Sequence, residues 1–303
     1  MYRVTVVFAF DEGPGAGLGH RRRCTVIAAR LAERGLECVL APLAPLASMP
    51  IADEVYDAPV VVVDSYLRRA DDRGRFRGGF VAALDDMARD LDVALLIDPA
   101  PGAQRAPHRR AGRVLAGGAY AIVDPALRLL GHRPAAAEVR TVLVATGAAD
   151  SDGIGARVAA VISGAHPQVT VRLVVGPWGS RSVPDGVIAV ERPDGLATEL
   201  ATADVVVTAG GVAMLEAACL GRPIVALALA PNQRGNVDGI VQGGAALCGD
   251  PERPSTVSDA IGRLVADGAL RHALTEAGPR IVDGRGPDRV ADAIAELLVR
   301  VAA

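Results

Sequence analysis

Three groups of residues in this 303-residue chain have types and spacing that could do chemistry. The first is Gly15-Ala16-Gly17-Leu18-Gly19-His20-Arg21-Arg22-Arg23-Cys24. It follows an apolar run, Val4 to Phe8, and precedes an apolar-periodic run beginning at Val26. That order reads as strand, glycine loop and helix, a natural seat for an anion or a reacting group. His20 stands at the mouth of the helix, where the positive end of the dipole favours a neutral imidazole able to accept a proton. The second group is Thr208-Ala209-Gly210-Gly211-Val212-Ala213-Met214-Leu215-Glu216, again a strand end, a glycine pair and a helix start. Backbone N–H groups there suit a diphosphate, and Glu216 suits the two hydroxyls of a ribose. The third is Ala230-Pro231-Asn232-Gln233, amides after a strand that suit sugar hydroxyls or a simple turn after proline.

A lone glycine loop after a first strand most often suggests a dinucleotide site. Here His20 and Arg21 stand where the third glycine is wanted, and no acidic residue stands alone at the end of the second strand. Both points argue against NAD or FAD, and no cofactor is expected.

The elements that must position these groups follow from the apolar pattern. Val4–Phe8, Cys38–Leu40, Val60–Val63 and Val93–Ile97 read as strands, and Asp64-Ser65-Tyr66 closes the third. Phe80 to Leu91 reads as a helix, and Arg73 to Gly79 as an exposed loop or helix end. The second half repeats the pattern: strands at Thr141–Ala145, Val169–Val175, Val187–Val190, Val205–Thr208 and Ile224–Leu229 alternate with helices, the last from Arg289 to Val301. Alternation of this kind implies parallel sheets. The aperiodic stretch Leu130–Ala137 is the expected linker between domains 1–134 and 135–303, with the cleft between them the default active site.

Composition bounds the function. Net charge is −3 and aromatic residues make up 3%, which argues against nucleic acid as a partner. No run approaches a membrane span, and the first apolar run is too short for a secretory signal, so a cytoplasmic protein is expected. The four cysteines, Cys24, Cys38, Cys219 and Cys248, form no C-x-x-C pair and read as reduced thiols.

Taken together, the motifs resemble a known family. Gly17-Leu18-Gly19-His20-Arg21-Arg22-Arg23-Cys24 matches a G-x-G-H-x-x-R-C pattern, and Val63-Asp64-Ser65-Tyr66 a V-D-S-Y strand end. Ala209-Gly210-Gly211, Glu216, Cys219-Leu220-Gly221, Pro223 and Asn232-Gln233 match a nucleotide-binding half, and Asp283-Gly284-Arg285-Gly286 with Arg289-Val290 a D-G-x-G-x-x-R-V segment. In this order they resemble the UDP-sugar hydrolases of the pseudaminic acid pathway and their spore-coat polysaccharide relatives.

The resemblance implies a GT-B-like α/β fold: two Rossmann-like, doubly wound domains facing a central cleft, with the last helix returning to the first domain. It implies metal-independent hydrolysis of a UDP-linked sugar, with release of the nucleoside diphosphate and inversion at the anomeric carbon. His20 would be the base. Gly210 and Gly211 would stabilise the leaving diphosphate, Glu216 would hold the ribose, and Asn232 and Gln233 would touch the sugar or diphosphate. Tyr66 and Asp11 would line the sugar side, with Gly17 and Gly19 turning the backbone beneath it. Arg23, Ser65, Gly147 and Val212 complete the expected substrate-binding set. A GT-B inverting glycosyltransferase with a small-molecule acceptor is the alternative reading, and a non-catalytic nucleotide-sugar binding protein a lesser one. The sequence departs from the family pattern at Ala9, at Val212-Ala213, at Gly147-Ala148-Ala149-Asp150, and at Asp98-Pro99, where Asp-Asp is usual after the fourth strand.

Overall fold

The computed structural model describes residues 6–13, 18–43, 56–104, 106–148, 150, 152–191 and 195–302. In chain order the elements are β1 (Val6–Phe10), α1 (Gly19–Ala32), β2 (Cys38–Pro42), β3 (Tyr56–Asp64), β4 (Phe76–Leu84), β5 (Leu95–Asp98), β6 (Arg113–Ala116), α2 (Leu127–Leu130), β7 (Thr141–Ala145), α3 (Ile154–Ala165), β8 (Thr170–Val174), β9 (Ile188–Val190), α4 (Ala197–Thr202), β10 (Val205–Ala209), α5 (Val212–Cys219), β11 (Ile224–Leu227), α6 (Arg234–Gln242), β12 (Ala246–Gly249), α7 (Pro254–Ala266), α8 (Gly268–Ile281) and α9 (Gly286–Ala302). They form two compact units: Met1–Ile122 with Arg285–Ala303, and Val123–Gly284.

The first unit is a six-stranded parallel sheet in the order β2-β1-β3-β4-β5-β6. Its central strands bury side chains on both faces, which is why Val60-Val61-Val62-Val63 reads as one continuous apolar run. On one face Phe8, Phe10, Val60, Val62 and Leu95 pack against Ile27 and Leu31 of α1 and against Val290, Ile294 and Leu297 of α9. On the other, Val61, Val63, Phe76 and Leu96 are covered by Leu43, Leu91 and Ala111, most of them from irregular connections. The turns at 65–75 and 85–94 join β3 to β4 and β4 to β5 without a helix.

The sequence reading of Phe80–Leu91 as a helix is corrected here. Phe76–Leu84 is a strand, paired along its length with β3. The alanines at 82 and 83 favour a helix locally, but both are buried between neighbouring strands, and packing overrides propensity. The correction moves a motif. The fourth strand is β4, and Asp85-Asp86 comes directly after it, whereas Asp98-Pro99 follows the fifth. β1 also runs two residues further than the apolar run suggested, so that Asp11 lies immediately beyond it.

The second unit is also six-stranded and parallel, in the order β12-β11-β10-β7-β8-β9. Val142, Val144, Val205, Val207 and Val225 pack against Val158 and Ile162 of α3 and Val257, Ile261 and Leu264 of α7. The edge strand β12 has no counterpart in the sequence reading, because four residues are too short for a period to show. Two parallel-sheet α/β Rossmann-like units are thus the observed architecture, with α9 belonging to the first.

Candidate functional site

In the first unit the polar residues gather at the carboxyl ends of the strands, where open α/β sheets place ligands. α1 begins at Gly19, so His20 lies in its first turn. Three arginines come next, and no acidic residue stands in that turn. Cations are disfavoured at a helix N-terminus. Carboxylates from outside the helix offset them: Glu12 accepts from Arg21, and Asp64, closing β3, accepts from Arg23 through both Nε (2.9 Å) and Nη2 (2.7 Å).

Asp64 also lies 2.6 Å from His20 Nδ1. Asp64 is fully buried and His20 is 2% exposed. Burial works to raise the Asp64 carboxyl, but the Arg23 guanidinium and His20 outweigh it and hold it down to about 2. Asp64 is therefore an ionised acceptor, and Nδ1 must carry the proton that it accepts. This sets the tautomer: Nε2 is left with its lone pair free, the arrangement by which a carboxylate prepares a histidine base. The sequence reading placed only a helix dipole beside His20 and gave Asp64 no role.

Tyr66 packs edge-on against the imidazole, ring centroids 4.4 Å apart. Its hydroxyl donates to Asp86 Oδ2 at 3.1 Å, and Arg23 Nη1 donates to the same oxygen at 3.2 Å. Burial pushes the Tyr66 phenol up, so it stays a donor. Burial works against the charge of Arg23, but Asp64, Tyr66 and Asp86 outweigh it and hold the guanidinium protonated. Asp11 and Ser65 have other partners. Asp11 accepts from Ser65 Oγ (2.8 Å) and from the backbone N–H of Tyr66 (2.9 Å), while Ser65 Oγ accepts from the Arg68 N–H (2.8 Å). This pair shapes the turn that presents Tyr66. Arg89 joins the same rim, pairing with Asp85 and donating to the Ser65 carbonyl. His20, Arg23, Ser65, Tyr66 and Asp11 are thus brought together beside Asp64 and Asp86, while Gly17 lies outside the described residues.

The second unit gathers the rest. Gly147 lies just beyond β7, Gly210 and Gly211 lie beyond β10, and Asn232-Gln233 lie in the turn after β11. Of the helices that start at this edge, α3 and α5 differ. Asp150 fills the start of α3, accepting from the N–H groups of Ile154 (2.9 Å) and Gly155 (2.7 Å) and from Thr146 Oγ1. The start of α5, preceded by Gly211 and beginning at Val212, has no side-chain cap. Gly210 is held close: Asn236 Nδ2 donates to its carbonyl, and a Cβ there would meet Val237 and Gln233 at 2.8–3.0 Å. Gln233 Oε1 accepts from the Leu229 N–H, which fixes the turn. Asn232 is half-buried, and Glu216 is fully buried on α5.

The sequence could have pointed to Asp64, a carboxylate closing a run of four valines. Asp86 was hidden by the misread strand. Among the described residues no group of His, Cys, Asp and Glu could hold a metal ion, and no helix is long and apolar enough to cross a membrane. All four cysteines are unpaired thiols.

No family model matches the chain. The chain is 29% identical over 111 residues to the spore coat polysaccharide biosynthesis protein SpsG of Bacillus subtilis (strain 168), a match that spans about a third of each protein (36% of this chain and 33% of the relative). Among solved structures it is similar to CalG4, the calicheamicin glycosyltransferase (TM-score 0.62, 17% identity, 100% of both chains covered). It is also similar to the spinosyn rhamnosyltransferase SpnG, complexed with thymidine diphosphate (TM-score 0.61, 15% identity, 96% of this chain and 100% of that chain). The fold is that of GT-B glycosyltransferases. Hydrolysis, the activity first expected from the sequence, finds no support in these likenesses.

Proposed function

We propose that the protein is an inverting glycosyltransferase that uses a nucleotide-sugar donor and a hydroxyl acceptor. The observation that carries this reading is the His20–Asp64 pair, which fixes Nδ1 as the donor and leaves Nε2 as the base. Nε2 would take the acceptor's hydroxyl proton as that oxygen attacks the anomeric carbon. The carbon–oxygen bond to the diphosphate breaks, and its electron pair leaves with the diphosphate. A single displacement inverts the anomeric centre.

The uncapped start of α5 supports placing the diphosphate at Gly210, Gly211 and Val212, because its backbone N–H groups can stabilise developing negative charge. The start of α3 is a poorer choice, since Asp150 already places a carboxylate there. Glu216 would serve the ribose, Asn232 and Gln233 the sugar or diphosphate, and Tyr66 and Gly19 the acceptor side. The first unit would thus handle the acceptor and the second the donor. The spore-coat relative's name supports a carbohydrate-building role.

Water in place of an alcohol would make the same machinery a hydrolase, and one experiment separates the two. UDP- and thymidine diphosphate-sugars are incubated with and without an alcohol acceptor panel, and nucleotide release and glycoside formation are followed. Glycoside formation that disappears in His20→Ala, with little release when acceptor is absent, is the expected result. Full release without acceptor would establish hydrolysis, and binding without turnover under either condition would overturn both.

A further inference from the structure

Four of the six strand ends in the first unit carry a carboxylate with a partner. Asp11 after β1 has Arg68, Asp64 of β3 has Arg23, Asp85 after β4 has Arg89, and Asp98 of β5 has His108. Asp86 is different. It shares Arg23 with Asp64 and has no arginine of its own among the described residues. Its side chain is 5% exposed, and Oδ1 is buried and accepts no hydrogen bond there. A buried carboxylate left this way is costly, and so asks for a reason.

The charges supply one. Arg23 makes a two-bond fork to Asp64, so within that pair the charge of Asp64 is already balanced. A proton arriving on His20 would then leave a buried, uncompensated cation. Asp86 changes the balance. With His20 neutral, the cluster of His20, Asp64, Arg23 and Asp86 carries one net negative charge. With His20 as imidazolium it is neutral.

We propose that Asp86 is a positioning residue that supplies, through Arg23, the counter-charge that lets His20 hold the proton taken from the acceptor. The coupling is one of charge: Asp86 Oδ2 accepts from Arg23 Nη1 at 3.2 Å, while Arg23 Nη2 and His20 Nδ1 both donate to Asp64 Oδ1 and lie 3.1 Å apart. Among the described residues, the groups facing His20 are few. Asp64 and Tyr66 come from the end of β3, Arg23 from its own helix, and Asp86 stands behind Arg23. Asp11 and Arg68 form a separate pair beyond Ser65, and Glu12 and Arg21 a more exposed one at the helix start. The proposal rests on the reading of His20 as the base.

Its test reads the proton and not turnover, so its outcome is separate from that of the transfer assay. The chain has five histidines, and the His20 ring signals are assigned by their loss in His20→Gln. Their pH titration is then followed by NMR in the ligand-free protein. Asp86→Asn is expected to lower the His20 midpoint by about one pH unit. Tyr66→Phe, which removes a hydrogen bond to Asp86 but no charge, should leave it close to wild type. Arg23→Gln, which removes a cation, should raise it. A wild-type midpoint in folded Asp86→Asn overturns the proposal, as does a shift in Tyr66→Phe as large as that in Asp86→Asn. Should Asp86→Asn fail to fold, the sign in Arg23→Gln decides: an upward shift supports the proposal, and a downward or absent shift overturns it.

Discussion

Asp64 gives His20 its free nitrogen, because a buried carboxylate can only accept and so fixes which nitrogen carries the proton. Asp64→Asn removes that constraint and is expected to lower kcat by about 10³–10⁴-fold while changing the donor KM little, as read by steady-state kinetics. The same carboxylate makes stability pH-dependent. It is held at about 2, below its ordinary value of 3.8, so its contribution is present at neutral pH and lost as pH falls from about 4 towards 2. The shift corresponds to about 2 kcal/mol. Asp98 runs the other way. Burial pushes it up to about 6, so the fold gains stability as Asp98 takes a proton between pH 6 and 4 and loses that gain as pH rises through 6. Thermal unfolding from pH 7 to 3 in wild type and Asp98→Asn checks this: the variant should lack the gain between pH 6 and 4 and keep the loss below 4. At this scale His20 was legible in the sequence, since a histidine opening a helix after a glycine loop is a local pattern. That Asp64 and Asp86 meet it was not, since they lie 44 and 66 positions from His20 along the chain.

At the scale of elements, the helix starts and close approaches decide most. Two glycines of the D-G-x-G segment have structural duties. Gly284 has φ +74° and lies against Cys219 Sγ, and Gly286 leaves no room for a Cβ beside the Ala121 carbonyl. Gly278 of α8 packs directly on the Ala218 carbonyl of α5. A Cβ there would collide with backbone, which cannot swing aside as a flexible side chain can. Gly278→Ala is expected to destabilise the fold by about 1–3 kcal/mol, read as a lower urea midpoint with the slope unchanged. Elements with a strong period, such as α1, α7 and α9, could be read from the chain. β4 could not, because Phe80-Val81-Ala82-Ala83-Leu84 is apolar throughout and fits a buried strand or a buried helix equally well.

For the molecule as a whole, the last helix completes the first unit. α9 buries Val290, Ala291, Ala293, Ile294 and Leu297 against the sheet and α1. Removing it would expose that face, at about 1.5–3 kcal/mol for each large side chain, which exceeds a typical domain's margin. A chain ending at residue 284 should therefore lose protease resistance in residues 6–122 while 123–284 stays protected, as mapped by limited proteolysis and mass spectrometry. The sequence by itself determined the alternation of strands and helices, their parallel class, the histidine at a helix start and the glycines at strand ends. Each is written in the period or residue types of one short segment. Only the tertiary structure decided which carboxylates meet His20. That depends on the sheet order β1-β3-β4, which sets the ends of β3 and β4 beside the start of α1. Strand order is fixed by packing between segments distant in sequence, and no local period records it.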